Sequence, residues 1–227
     1  MPSNKAMKQL LLDIKPAAPP TLLNFIVGQN AEALASLNGV LTQQAPSNFI
    51  YLWGEAGSGK SHLLQACKAL NLTNQNSADQ SFVDQDLVSH NFIVMDDVHL
   101  LDNDAQIELF NTYNQLKENG GTLIAAGLHA PTQMHLRGDL ATRLAWGLVY
   151  QLQPLNDAEK ALALQNHAAE RGIRLPSEVV EYCLRYLRRD LSTLMATLDA
   201  LDEWSLTTKK PVTVPMLRHL LQLNLEI

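Results

Sequence analysis

The stretch GEAGSGKS, residues 54–61, limits what this chain can become more than any other part of it. It follows the apolar run NFIYLW and precedes SHLLQACKAL, whose apolar residues recur at helical spacing. The pattern G-x-x-x-x-G-K-[ST] is complete and sits between a strand and a helix, the setting it needs. Gly54, Gly57 and Gly59 permit a tight turn that aims backbone N–H groups inward. Together with the positive end of the helix, those groups favour phosphate oxygens. Lys60 is placed to neutralise β- and γ-phosphates, and Ser61 to hold Mg²⁺. The expected site for ADP or ATP is therefore Gly54, Glu55, Ala56, Gly57, Ser58, Gly59, Lys60, Ser61 and His62. The competing reading is a chance glycine-rich turn between strand and helix.

The companion of such a loop is a buried strand ending in a carboxylate. FIVMDD, residues 92–97, supplies one, with Asp96 beside the Mg²⁺ position. Asp97 follows where many such ATPases carry a glutamate that orients water, so it is a candidate catalytic residue. Two solvated acids in a strand-to-helix turn are the plainer alternative. A third requirement is a polar side chain at the end of the strand over 121–127, near the γ-phosphate. Here Ala125, Ala126, Gly127 and Leu128 offer no side-chain donor, and Thr122 and His129 are poorly spaced for the task. Binding is expected to be intact and hydrolysis by this chain alone under-equipped.

With 227 residues, the chain has room for one large domain or a domain with a small appendage. Strand patterns at 48–54, 91–98, 121–127 and 148–153 alternate with helical ones, and SFVD at 81–84 reads as a short edge strand. That alternation predicts right-handed crossovers and a mainly parallel, five-stranded sheet in a three-layer α/β base. NLTNQNSADQ is polar and without period, and reads as a loop. From Asp157 onward the pattern is helical only, with Asp157, Ser177 and Asp190 as N-cap candidates. The expected division is a tethering segment over 1–20, the base over 21–155 and a small helical domain over 156–227.

A net charge of −6 argues against a dedicated nucleic-acid binder, which carries a basic excess. Cys67 and Cys183 lie far apart with no CxxC pair, the usage of packed thiols in a reducing cytoplasm. No run approaches a membrane span, and no charged-then-apolar leader opens the chain, so no membrane partner and no export are expected. The seven histidines show no metal-ligand spacing, and the leucine stripes of the C-terminal helices read as core. Arg171 and Arg174 carry local charge on what reads as a solvated face.

The order of these parts resembles the AAA+ ATPases, and within them the DnaA replication-initiator branch. TLLNFIVGQNAEAL resembles that branch's opening segment, and FIVMDDVHLL its strand with a double Asp. LATRLAWGLVYQLQPL, 140–155, is similar to its box of an Arg, then Trp-Gly, then the last strand. Members that stop after the helical lid are of the Hda type, regulatory inactivators of DnaA. The resemblance implies a P-loop AAA+ base with a helical lid. It implies that Arg143 is an arginine finger offered in trans to a neighbour's nucleotide; pairing with Asp139 or capping a helix end stays open for it. Trp146 and Gly147 read as packing and turn residues. Two departures from the family pattern stand out. Its polar residue after the 121–127 strand falls at Gly127–Leu128. The phosphate-touching Arg that opens its lid helix falls at Ser192, with Arg188 and Arg189 a turn earlier.

KQLLLDI, 8–14, resembles the Q-L-x-L-x-[LF] peptide that docks on the bacterial sliding clamp, the β subunit of DNA polymerase III. Gln9 would be the amide anchor, and Leu10, Leu12 and Ile14 the apolar side chains entering a pocket, on a tether ending in the Pro/Ala-rich 16–20. An extra strand or helical turn folded onto the body is the alternative. The resemblance thus implies a negative regulator of replication initiation. It would bind ADP or ATP with Mg²⁺, dock on the clamp, meet DNA indirectly through that loaded clamp, and stimulate hydrolysis of DnaA-bound ATP. Self-association into a homo-oligomer is a further expectation. Rival readings are an autonomous AAA+ ATPase, such as a helicase loader, or an origin-binding initiator. The absence of a basic helix-turn-helix before Ile227 counts against the latter.

Overall fold

In the computed structural model, residues 19–77, 91–188 and 190–225 are described. The chain divides after Asn156 into a base, from Pro19, and a helical unit that begins at Asp157.

The base elements, in chain order, are α1 (Ala31–Leu41), β1 (Phe49–Trp53), α2 (Lys60–Ser77), β2 (Phe92–Met95), α3 (Asn103–Glu118), β3 (Thr122–Gly127), α4 (Gly138–Ala145) and β4 (Leu148–Gln151). All strand pairs are parallel, in the order β2-β3-β1-β4. Among the described residues the sheet has four strands, not the expected five. The stretch read as the remaining strand, 81–84, lies outside the described residues.

Strand periodicity sorts the core into two layers. Ile50 and Leu52 of β1 and Ile124 and Ala126 of β3 face α1 and α2, where Leu37, Leu63, Leu64 and Cys67 meet them. Tyr51, Leu123 and Ala125 face the other way, onto Leu109, Tyr113 and Leu116 of α3 and Leu140 and Leu144 of α4. This is the three-layer α/β base expected from the alternating pattern.

Helix α2 continues to Ser77, into the polar stretch 71–80 read as a loop, whose last three residues lie outside the described ones. The Asn- and Thr-rich residues at 71–77 cost at most about 0.7 kcal/mol each in helix propensity, and no Gly or Pro stops the helix. Thr73 Oγ1 donates back to the Ala69 carbonyl at 3.0 Å, which keeps that side chain within the helix.

Asn30 ties the start of the base to the segment that leaves its last strand. It is only 4% exposed; its Nδ2 donates to the Gln153 carbonyl (3.0 Å) and its Oδ1 accepts from the Gln153 N–H (2.8 Å). One side chain thus imitates a strand pair. Replacing it with alanine strands both backbone groups. Asn30→Ala should cost about 2 kcal/mol, seen as a lower calorimetric midpoint for the base. An unchanged midpoint would show that water substitutes for the amide.

The helical unit contains α5 (Asp157–Glu170), α6 (Ser177–Tyr186), α7 (Leu191–Thr208) and α8 (Val214–Leu225) around Leu164, Val180, Leu194, Leu198, Leu201, Leu217 and Leu220. Of the three cap candidates, Asp190 is a side-chain cap. Its Oδ1 accepts from Thr193 N at 2.9 Å. Asp157 and Ser177 are instead the first residues of their helices. Pro176 precedes Ser177, and it is tolerated there because the first turn has no use for its missing N–H.

Against burial, which acts upward, hydrogen bonds from Thr193 and Ser192 hold the Asp190 carboxyl below its ordinary range. A carboxyl lowered on folding contributes stability that is present above the unfolded value and lost as pH falls through the folded one. Asp190→Ala should therefore cost about 1 kcal/mol at neutral pH. The difference from the parent should shrink below pH 3.8, as read by denaturant titration.

Both cysteines are buried free thiols, pushed up by burial to about 12 for Cys67 and about 11 for Cys183. They pack and do not react, as their spacing suggested. No helix among the described residues is long and apolar enough to cross a membrane.

Candidate functional site

The parallel sheet brings the C-terminal ends of β1, β2 and β3 to one edge, where the loops that follow them can act together. The chain leaves β1 at Gly54 with φ +151°, where a Cβ would stand 2.5 Å from the Leu152 carbonyl oxygen. Only glycine fits that turn and that approach. Helix α2 then opens at Lys60, so the 55–59 loop is seated on a helix N-terminus.

The buried Lys60 ammonium donates to the carbonyls of Gly54 (2.7 Å) and Glu55 (3.0 Å). Two of its three hydrogens are thus committed within the loop, and one remains for a phosphate oxygen. Burial lowers its pKa, while the charges of Asp96 and Asp97 act upward. Lys60 therefore feels the carboxylates at the end of β2 across the intervening strand β3. Ser58 is 5% exposed, and its Oγ has no partner among the described residues. A buried hydroxyl normally has one. That oxygen is closed off beneath the loop, beside Gly54; the uncommitted Lys60 donor and the helix N-terminus are what fit a polyphosphate. Ser61 is exposed at the mouth of the loop.

Asp96 Oδ1 accepts from the Asp97 N–H at 2.9 Å, leaving its other oxygen available to a cation. Asp97 has a left-handed backbone, φ 49° and ψ 42°, and its exposed carboxylate lies 3.9 Å from His99 Nδ1. No cluster of three acidic, His or Cys side chains that could hold a metal occurs among the described residues. A Mg²⁺ here would need phosphate oxygens in addition to Ser61 and Asp96.

Sequence reasoning did not foresee the cover over the loop. Phe25 lies against Gly59, so that a Cβ there would sit 2.7 Å from its ring. It also tilts against His62 with centroids 5.6 Å apart. His62 Nε2 is 2.9 Å from the Thr21 carbonyl oxygen. The signal was the TLLNF stretch, legible by resemblance but not by spacing. At the end of β3, Tyr51 from the neighbouring strand takes the room a side chain at Gly127 would need, and its hydroxyl bonds the His129 carbonyl (3.3 Å). Leu128 is 37% exposed, and no polar side chain stands at Gly127 or Leu128.

Arg143 lies in the last turn of α4, on the opposite face of the sheet from α2. Its expected rival partner is occupied: Asp139 is held by Arg137, at 3.0 Å and 3.3 Å, and also caps the Leu140 N–H. The Arg143 guanidinium lies instead over two rings, 4.3 Å from the Trp146 centroid and 5.7 Å from that of Phe110. Trp146, read as a packing residue, is 57% exposed and packs on cations, carrying Lys117 Nζ at 4.7 Å as well. Gln106 fixes the approach to α4, accepting from the Arg137 N–H and donating to the Leu101 carbonyl, both at 2.9 Å. In the helical unit, Ser192 Oγ donates to the Asp190 cap (2.8 Å) and Arg188 is 3.6 Å from the same carboxyl. Arg189 and the segment with Gln9, Leu10, Leu12 and Ile14 lie outside the described residues.

Two families match the sequence. The lid domain of Hda matches residues 157–221, and the bacterial DnaA ATPase domain matches residues 76–151, a range that holds Asp96, Asp97 and Arg143. This is an Hda/DnaA-like AAA+ protein. Solved structures agree on the fold. Domain III of the Thermotoga maritima replication initiation protein DnaA superposes with a TM-score of 0.69 at 23% identity, over 89% of this chain and 95% of that one. AMPPCP-bound DnaA from Aquifex aeolicus gives 0.64 at 21% identity, over 84% and 66%. A Thermotoga maritima RuvB variant gives 0.61 at 14%, over 88% and 70%. The AAA+ base and helical lid therefore stand, and both family matches are to DnaA-related proteins.

Proposed function

We propose that this AAA+ chain is a nucleotide-holding adaptor that delivers Arg143 to the ATP site of DnaA and so promotes hydrolysis there. The observation that carries the reading is a division of equipment. The phosphate loop is complete, with one donor of Lys60 left uncommitted, while the end of β3 offers no polar side chain. The guanidinium of Arg143 meanwhile bonds no carboxylate among the described residues and lies on an exposed ring. A related DnaA is bound to AMPPCP and single-stranded DNA, which supports a nucleotide as the ligand of this base.

In this reading ADP or ATP sits at residues 54–62, with Mg²⁺ held through Ser61 and Asp96. Asp97, whose left-handed backbone and short side chain suit it poorly to orienting water, contributes little turnover. The bound nucleotide stabilises the base by mass action. Residues 9–14 dock on the sliding clamp, which raises the local concentration of the adaptor where the clamp encircles DNA. DNA is met only through that clamp. The three segments proposed are thus a tether over 1–20, the base and the lid.

The test is hydrolysis of labelled ATP by the purified chain alone, with DnaA, and with DnaA plus DNA-loaded clamp. The adaptor reading expects turnover only in the last mixture, lost on Gln9→Ala and Leu12→Ala. Brisk turnover by the isolated chain would make it an autonomous ATPase instead. Tight origin binding without clamp would make it an initiator.

A further inference from the structure

Trp146 is a large ring left in water at the end of a short helix, and core packing does not explain it. Its backbone N–H donates to the Arg143 carbonyl at 3.1 Å, which fixes the two residues one helical turn apart. Its ring then meets the guanidinium at 4.3 Å, well inside the range for attraction between a cation and an aromatic face. Lys117, from the last turn of α3, approaches the same ring at 4.7 Å and ties it to the neighbouring helix.

The mode of holding matters for what Arg143 could do. A carboxylate partner would neutralise the guanidinium and occupy the N–H donors at its edge. A ring binds the flat face and leaves the five N–H donors pointing outward. Here the nearby carboxylate, Asp139, is kept away by Arg137, and the π-face does the holding. The two cations sharing the ring also raise the local positive potential.

We propose that Trp146 is the positioning residue for Arg143, orienting its guanidinium with the donors free for a phosphate chain carried by another molecule. This rests on the reading of Arg143 given above. The role belongs to the face of the ring, not to its bulk.

Three variants separate the possibilities: Trp146→Phe, Trp146→Leu and Arg143→Ala. Each is titrated against DnaA-ATP with DNA-loaded clamp. Both the maximal stimulated rate and the half-saturating concentration are read. Trp146→Leu, apolar but without a π-face, should lower the maximal rate about 10-fold with half-saturation and thermal midpoint unchanged. Trp146→Phe should stay within about 3-fold of the parent. In the isolated chain, the Arg143 Nε–H proton resonance, shifted by the ring, should move toward its ordinary position in the Leu variant only. A Leu variant with the parent's rate, a Phe variant as slow as Leu, an effect confined to half-saturation, or an unmoved resonance would each overturn the proposal. If Arg143→Ala itself keeps the full rate, the finger reading has failed. If only that variant is slow, the finger stands and the role of Trp146 does not.

Discussion

Arg143→Ala should reduce the DnaA-ATP hydrolysis stimulated by this chain by about 10³-fold, the lower end of what an arginine supplied in trans contributes to phosphoryl transfer. The reason for so large an effect is that charge spreads over the phosphoryl oxygens in the transition state, and a planar, permanently charged fork meets that charge. ADP binding by the variant should be unchanged. Arg143 lies on α4, in the layer containing Leu140 and Leu144, whereas the phosphate loop continues into α2 in the opposite layer. Its ring partner Trp146 is exposed and Phe110 keeps its own packing on the core, so the fold should tolerate the loss. Arg143→Lys keeps the charge but loses the fork and should recover only part of the rate. Single-turnover hydrolysis with loaded clamp reads this directly; a variant with the parent's rate would remove the adaptor reading altogether.

Lys60→Ala should weaken ADP binding by about 100-fold, since hydrogen bonds to charged groups contribute about 1.5–3 kcal/mol each. The change also strands the Gly54 and Glu55 carbonyls that the ammonium now bonds. Stability gives a second readout. At a ligand concentration 100 times the parent's dissociation constant, binding adds about 2.7 kcal/mol to the parent but only about 0.4 kcal/mol to a variant 100-fold weaker. The thermal shift on adding ADP should therefore nearly vanish. The pH dependence follows from the burial that lowers the Lys60 pKa. A phosphate needs the charged form, so affinity in the parent should begin to fall at a pH below the ordinary lysine value of 10.5. Calorimetric titration across alkaline pH checks this. Equal ADP affinity in parent and variant would mean that the loop does not hold the phosphates.

The buried strands were legible because their signal is local: Phe49–Trp53 is a continuous apolar run, as a strand covered on both faces requires, whereas which residue faces which layer came only from the structure. The phosphate loop was legible because its mechanism needs particular residues at adjacent positions. The end of α2 was misread because composition was weighed as a loop signal when no breaker was present. Helix α4 was not identified as a helix, since eight residues carry too few turns for a period to stand out. Ser177 was read as a cap, yet Pro176 sets that boundary through its ring, one residue earlier.

What the sequence determined by itself is the α/β base, the helical lid and the glycine-shaped cradle, because each rests on residues close together in the chain. What only the tertiary structure decided is the company those residues keep. Asp139 chose Arg137 over Arg143, Phe25 came to lie on Gly59, and Tyr51 filled the space at Gly127. Those outcomes depend on which side chains meet across 2 to 76 positions of chain, and on which of several equally charged or equally sized groups reaches a shared space first. Local patterning carries no record of that competition, because burial and geometry settle it only once the sheet and its two helical layers have closed.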